Sequence, residues 1–324
     1  MGQGFRRSAR IAVLAQFCVV VFAFQQSSGG PIEIIPRGAP KAAAPVVRVN
    51  SSLVLIPVHV TTADGASVTG LKKEDFLLFE DGVQQTITHF AQDDAPVSAG
   101  VLLDISGSMR NKMAKASEAA TEFFKFANPE DEFFLVEFNT HARLAVPFTR
   151  DWPEIAAKIA AARPSGMTAM LDGIHLAIAQ MKHARNSRKA LVVVSDGGDN
   201  FSRRSLRELK ETLIESDVQV YALGVFDHDY AIKHTPEERH GPSLLDQVAL
   251  DTGGRTFPVV SLDNLPDIGV EIAREMRNQY VLGYSPAMPA TDGKYHRVNL
   301  KLAAPNAESE LRAYYRQGYY ALGQ

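Results

Sequence analysis

The stretch VLLDISGSM, residues 101–109, decides the fold, because an apolar strand leads directly into a polar loop that contains glycine. The stretch VVVSDGGD, residues 192–199, repeats this pattern. In an open α/β sheet, ligands bind outside the carboxyl ends of the strands. The two stretches therefore predict parallel, buried strands that bring Asp104 and Asp196 to one edge of a sheet.

The segment around these stretches alternates between apolar strands and helical patterns, which indicates βαβ units and a buried parallel sheet. One helical pattern is the recurrence of Leu171, Ile174, Ile178 and Met181. We therefore predict a doubly wound, Rossmann-like α/β domain with a mostly parallel sheet over residues 97–284. Its strands are expected at Gly100–Asp104, Glu132–Phe138, Ala190–Ser195, Val218–Val225, Arg255–Val259 and Gln279–Tyr284.

Both flanks of this domain have β character. Residues 45–93 contain short alternating stretches that are broken by turn pairs such as Asp81-Gly82, which predicts an N-terminal β module. Residues 285–324 form a C-terminal β segment, in which Val298, Leu300 and Leu302 alternate with polar residues. Because a fragment of about 40 residues seldom folds alone, we hypothesise that the two flanks pair in one small β-sandwich. Two separate β appendages are the alternative.

The N-terminal residues are typical of an export signal. Arg6, Arg7 and Arg10 precede an apolar stretch from Ile11 to Phe24, which predicts a signal peptide over residues 1–24. Because a membrane span needs about 20 apolar residues, cleavage is favoured; an uncleaved anchor, the alternative, would be the only membrane contact. Residues 25–44 are predicted to be a flexible linker. We expect an exported protein that is periplasmic, held at the cell surface or secreted.

Composition argues against several other classes of protein and site. The net charge is −3 and no long basic run is present, so nucleic acid is not an expected partner. The single cysteine, Cys18, lies within the apolar N-terminal stretch. After cleavage the chain would have no cysteine, and therefore neither a disulfide nor a thiolate metal site.

The loop after the first strand suits a hard cation. Asp104, Ser106 and Ser108 place oxygen-bearing side chains on alternate residues, and Gly107 allows a sharp backbone turn. Oxygen ligands without histidine or cysteine favour Mg²⁺, with Mn²⁺ or Ca²⁺ as alternatives. The other interpretation is that Asp104 and the serines cap a helix that begins near Met109.

Three motifs occur in order: DISGSM at residues 104–109, GMTA at 166–169 and SDG at 195–197. Together they resemble the von Willebrand factor A family and its metal-ion-dependent adhesion site, over about Val97 to Tyr284. The flanks, from Gly70-Leu71 to Asp81-Gly82 and in the closing YYRQGYY, resemble a group of such proteins common in Acidobacteria.

This resemblance implies a ligand set. Ser106 and Ser108 would ligate the metal directly, Thr168 would join them in the ligand-bound state, and Asp104 and Asp196 would approach directly or through water. A helix N-cap ahead of residues 169–181 is another role for Thr168, and the two roles can coexist.

The resemblance also implies a non-enzymatic adhesion-type module. A cation held largely by neutral hydroxyls keeps positive charge and can accept an Asp or Glu side chain of a protein partner. A structural or assembly subunit of the cell envelope is one alternative. A serine hydrolase using Ser106 or Ser108 is another, which is disfavoured because the Gly-x-Ser-x-Gly pattern is missing.

A polar segment after the Val218–Val225 strand carries many potential ligands. A second metal site is one interpretation, but the spacing matches no zinc motif, so a solvated loop in the wall of the binding surface is favoured. Its residues are Asp227, His228, Asp229, His234, Glu237, Glu238 and His240.

Overall fold

The computed structural model describes residues 53–92, 94–225, 240–259, 261–286, 292–303 and 311–321. These residues form three sheets and the helices that pack on them. The strands are β1 (Val54–Thr61), β2 (Phe76–Glu80), β3 (Val83–Gln85), β4 (His89–Gln92), β5 (Val97–Asp104), β6 (Glu132–Phe138), β7 (Ala142–Thr149), β8 (Arg188–Ser195), β9 (Gln219–Val225), β10 (Thr256–Val259), β11 (Tyr280–Tyr284), β12 (Tyr295–Leu302), β13 (Arg312–Tyr315) and β14 (Gly318–Tyr320). The α-helices are α1 (Met113–Phe124), α2 (Trp152–Ala161), α3 (Met170–Met181), α4 (Leu206–Ser216), α5 (Gly241–Leu250) and α6 (Leu265–Arg277).

The central element is a six-stranded sheet in the order β10-β9-β8-β5-β6-β7, in which only the edge strand β7 is antiparallel to its neighbour. Strands β5, β6 and β9 are buried at every position, because apolar clusters cover both faces of the sheet. The prediction of a doubly wound, mostly parallel α/β fold is thereby confirmed. From β5 the chain first adds β6 and β7 on one side and then β8, β9 and β10 on the other side. The strand order therefore reverses between β5 and β8, and this boundary is the topological switch point of the sheet.

Two four-stranded antiparallel sheets form a separate layer pair, with strand orders β13-β1-β11-β4 and β14-β12-β2-β3. Their inner faces share one apolar core that includes Ile56, Leu78 and Val298. Strand β12 pairs with β2, and β13 pairs with β1, so strands from before and after the α/β domain lie in the same sheets. We refer to these two sheets as the sandwich.

One predicted strand lies in a different sheet from the one expected. The stretch Gln279–Tyr284 was placed in the parallel sheet, and that placement is wrong: β11 pairs antiparallel with β1 and β4. The physical reason is that every second side chain of β11 is large and apolar: Tyr280, Leu282 and Tyr284 all insert into the sandwich core. The parallel sheet therefore ends at β10, and α6 is followed directly by a strand of the sandwich.

A buried polar network joins α6 to the sandwich. The His59 ring on β1 lies with Nδ1 3.2 Å from the Asn278 carbonyl oxygen and with Nε2 3.4 Å from Glu275 Oε1. Arg255 donates from Nε to the same Glu275 oxygen at 2.6 Å. His59 and Glu275 are each 1% exposed. Contacts of this kind fix α6 against β1, because any separation would leave buried polar groups unpaired.

The predicted signal peptide and linker, residues 1–24 and 25–44, lie outside the described residues. Within the described ranges, no helix is both long and apolar enough to cross a membrane.

Candidate metal centre

Three loops meet at the carboxyl edge of the parallel sheet. Strands β5 and β8 are neighbours with Leu103 opposite Val194, so the residues that follow them lie side by side. The third loop, between α2 and α3, is bonded to the first, because the Gly107 amide donates to the Gly166 carbonyl oxygen at 3.1 Å. The motifs that were separate in sequence thus form one surface at the switch point.

The carboxylate of Asp104 forms the floor of this site and is fully buried. Its Oδ1 accepts the Ser106 amide at 2.8 Å, and its Oδ2 accepts the Ser195 hydroxyl at 2.6 Å. Burial, and next the negative charge of Asp196, raise the pKa of Asp104 to about 7, although the bonds from Ser106 and Ser195 act in the opposite direction. Two acidic side chains therefore oppose each other where water is largely excluded.

The two serine hydroxyls of the first loop face each other, with 3.1 Å between Ser106 Oγ and Ser108 Oγ. Ser106 is buried and Ser108 is exposed, so the pair extends from the floor of the site to solvent. Ser106 precedes the short 3₁₀ helix Gly107–Met109, but its side chain makes no capping hydrogen bond. The capping interpretation therefore does not account for the serine side chains.

Thr168 is buried in the loop between α2 and α3, where the loop after β8 holds its backbone. Its amide donates to Asn200 Oδ1 at 2.9 Å, and its carbonyl accepts the Asn200 and Phe201 amides at 3.0 Å each. Helix α3 begins at Met170 with Ala169 at the N-cap, and Asp199 accepts the Leu171 amide at 2.8 Å. Asp199, and not Thr168, thus satisfies a donor of the first turn of α3.

Asp196 lies at the end of β8 in a turn that requires glycine at the next position. Gly197 has a φ of +81°, and a Cβ there would lie 2.6 Å from the carbonyl carbon of Gly241. A side chain is disfavoured by the backbone conformation and by the contact alike. Gly197 therefore lets the Asp196 loop pack closely against the start of α5.

Lys112 is a member of the site that sequence reasoning missed. Its side chain is 3% exposed, and its Nζ lies 3.4 Å from Asp196 Oδ2 and donates to the Val225 carbonyl oxygen at 3.1 Å. The ammonium group places a positive charge beside the acidic pair. In the sequence, Lys112 lies between Met109 and Met113, two residues expected to face the core. An ordinary surface lysine near the start of a helix has the same pattern, so the sequence does not distinguish the two.

The donor chemistry of these residues fits a hard divalent cation. Their side chains offer carboxylate and hydroxyl oxygens on a buried floor that opens to solvent at Ser108. Such oxygen donors are the ones that Mg²⁺, Mn²⁺ and Ca²⁺ take in proteins. Of the predicted histidine-rich segment, only His240 is described, and it is exposed immediately before α5; residues 226–239 lie outside the described residues.

Comparison with known proteins identifies the class of domain. Residues 101–198 match the family model of the von Willebrand factor type A domain.

The chain is similar to curated proteins over only part of their length. The chain is 27% identical over 157 residues to inter-alpha-trypsin inhibitor heavy chain H2 of Sus scrofa, across 43% of this chain and 17% of that protein. It is 25% identical over 208 residues to a UPF0353 protein of Mycolicibacterium paratuberculosis, across 56% of this chain and 61% of that protein. The chain thus spans less than two thirds of either relative. A solved von Willebrand factor type A structure from Catenulispora acidiphila covers 85% of this chain and 74% of its own, with 15% identity and a TM-score of 0.50, and it shows the shared fold.

Proposed function

We propose that this protein binds a protein partner through a divalent cation, Mg²⁺ in the first instance, at the carboxyl edge of its parallel sheet. The proposal rests on one observation: the buried carboxylates of Asp104 and Asp196 repel each other beside a pair of serine hydroxyls. Like charges in a buried position are unfavourable unless a cation compensates them. The ligands would be Asp104, Ser106, Ser108, Thr168 and Asp196.

The protein's own groups prepare this site for a cation. The Ser106 amide and the Ser195 hydroxyl hold both oxygens of Asp104 in place. Lys112 reduces the negative charge, because the two carboxylates, when both are ionised, and one ammonium group sum to −1. A bound divalent cation would then leave a net charge of +1 and an open coordination position, which together favour an Asp or Glu side chain of the partner.

The geometry supports a binding role over catalysis. Within the described residues, neither Ser106 nor Ser108 has a histidine as hydrogen-bond partner, and Ser106 Oγ bonds instead to the other serine. A nucleophilic serine needs a base within hydrogen-bond reach. The predicted signal peptide supports export, so we propose that the partner is met in the periplasm, at the cell surface or outside the cell.

Affinity capture tests this proposal. The purified protein would be immobilised and exposed to envelope extract in Mg²⁺, and bound proteins would be eluted with chelator. We expect specific proteins in the chelator eluate of the wild type and none for Asp104→Ala. Asp263→Ala, which removes an exposed carboxylate paired with Lys115, is the matched control and should behave as the wild type. Capture that survives chelator and Asp104→Ala equally would instead indicate constitutive docking and overturn the proposal.

A further inference from the structure

A second group of potential metal ligands lies in the sandwich. Glu80 ends β2, Asp81 follows it in the turn to β3, and His296 lies on β12. One ligand atom from each can be chosen so that all three lie within 4.8 Å of one another. His296 Nδ1 is 2.8 Å from Asp81 Oδ2 and 3.5 Å from Glu80 Oε1. Neighbouring ligand atoms around a tetrahedral zinc ion, with bonds of about 2.0–2.1 Å, lie about 3.3 Å apart, and the observed distances bracket that value.

Each carboxylate of this group accepts an orienting hydrogen bond through one of its two oxygens. Asp81 Oδ1 accepts the Arg297 amide at 2.9 Å, while its Oδ2 faces the imidazole. Glu80 Oε2 accepts the Tyr319 hydroxyl at 3.3 Å, while its Oε1 faces the imidazole. One oxygen of each side chain is thus used for orientation, and the other points to a common position.

The imidazole is held in the same manner. His296 Nε2 lies 3.1 Å from Asp292 Oδ1. Without a metal, Nδ1 donates its own proton to Asp81 Oδ2 at 2.8 Å. A metal would replace that proton and take the Nδ1 lone pair, while Nε2 keeps its proton and donates it to Asp292. A histidine whose second ring nitrogen bonds to a carboxylate is the usual arrangement of a histidine that ligates a metal.

The charges around the ring are unbalanced. Three carboxylates surround one imidazole, and among the described residues the lysine paired with them is Lys294, which lies 3.9 Å from Asp292 at the exposed side. Glu80 is only 7% exposed, and a buried carboxylate is unfavourable without a compensating charge. The Tyr284 hydroxyl lies beside Glu80, and burial together with Glu80 raises its pKa. The described groups therefore leave an excess of negative charge at this position, which a metal cation would compensate.

We propose that Glu80, Asp81 and His296 bind a transition-metal ion, zinc foremost, with Asp292 orienting the histidine. A mixed nitrogen and oxygen donor set favours zinc over Mg²⁺ or Ca²⁺, which distinguishes this site from the all-oxygen site of the α/β domain. The ligands come from both flanks of the chain, since Asp81 and His296 are 215 residues apart. The ion joins β2 to β12 and stabilises the sandwich, because it binds the folded arrangement only.

Zinc titration of the purified, chelator-treated protein tests this site. The Asp104→Ala background removes the first site, so the outcome does not depend on the proposed function. We expect one saturable zinc site by calorimetry, a rise in melting temperature with zinc, and the absorption bands of a tetrahedral complex when Co²⁺ replaces zinc. His296→Gln should abolish all three signals. His183→Gln, which replaces an exposed histidine after α3, is the matched control and should keep them.

A second variant separates ligation from folding. Asp292→Asn changes an exposed side chain that touches the histidine and not the metal position. Its zinc affinity should fall about 10–100-fold while its metal-free melting temperature stays that of the parent. Zinc binding by His296→Gln with unchanged affinity and stoichiometry would overturn the proposal, and so would the absence of a saturable zinc site in the parent.

Discussion

Replacing Lys112 with methionine should make the α/β domain depend on its metal for stability. Methionine keeps much of the side-chain volume but removes the ammonium group that lies 3.4 Å from Asp196 Oδ2. At an effective dielectric constant of about 20, two unit charges at this distance interact by roughly 5 kcal/mol. Since desolvation opposes part of this attraction, we expect the metal-free variant to lose about 3–5 kcal/mol of unfolding free energy, as for other broken buried pairs.

The same substitution should tighten metal binding. Without Lys112 the two carboxylates leave a site charge of −2 in place of −1, so a divalent cation gains attraction and meets no competing ammonium group. Mg²⁺ should therefore restore more stability to Lys112→Met than it adds to the wild type. Urea unfolding in chelator and in saturating Mg²⁺ measures both quantities in one series.

A neighbouring lysine provides the control for this prediction. Lys115 lies in the first turn of α1, just after Lys112 at its N-cap, but its side chain is 34% exposed and pairs with Glu118 at 2.9 Å. Lys115→Met should change the unfolding free energy by less than about 1 kcal/mol with or without Mg²⁺. Equal metal-free stability of Lys112→Met and Lys115→Met would refute the reasoning, as would an unchanged Mg²⁺ affinity in Lys112→Met.

Three further predictions address the site and its support. Asp104→Ala should abolish the Mg²⁺-dependent rise in melting temperature, which in the wild type reflects about 2.7 kcal/mol when the metal is at 100 times its dissociation constant; a retained rise would contradict the assignment. Gly197→Ala should cost at least about 1 kcal/mol by urea unfolding and weaken Mg²⁺ binding, because a Cβ would lie 2.6 Å from the Gly241 backbone at a φ of +81°; wild-type values for both would contradict it. Burial lowers the pKa of His59 to about 4 from its usual 6.5, so the neutral ring contributes stability above pH 6.5 that is lost as the pH falls towards 4. His59→Gln should therefore lose less unfolding free energy than the wild type between pH 7 and pH 4.5, and parallel losses would show that another group dominates.

The fold was predictable where the signal is local. Apolar runs that end in polar residues identified β5 and β8, and the register of Leu103 against Val194 confirms that the two strands are parallel neighbours. Strand β7 was not predicted, because its burial pattern is that of a half-exposed edge strand without a continuous apolar run. Strand β11 was found but assigned to the wrong sheet, since a short apolar strand does not specify its partner.

The site was predictable in part for the same reason. Asp104 and Asp196 follow apolar strands, so their common edge could be inferred from the parallel sheet. Lys112 could not be inferred, because its contact with Asp196 spans 84 residues and arises only when α1 packs on the sheet. The residues of the proposed zinc site are even farther apart in sequence, since Asp81 and His296 are separated by 215 positions. Contacts of this separation depend on strand pairing that no local pattern encodes.

The sandwich lies at the end of the parallel sheet opposite the candidate metal centre. A cavity between the two parts is lined by Arg188 and Gln219, at the starts of β8 and β9, and by Leu55 and Val281 of the sandwich. The sandwich therefore meets the parallel sheet at the amino ends of its strands. The candidate metal centre lies at the opposite, carboxyl ends, so its coordination position faces away from the sandwich. A partner that bound at the proposed metal centre would therefore approach the α/β domain from the side opposite the sandwich.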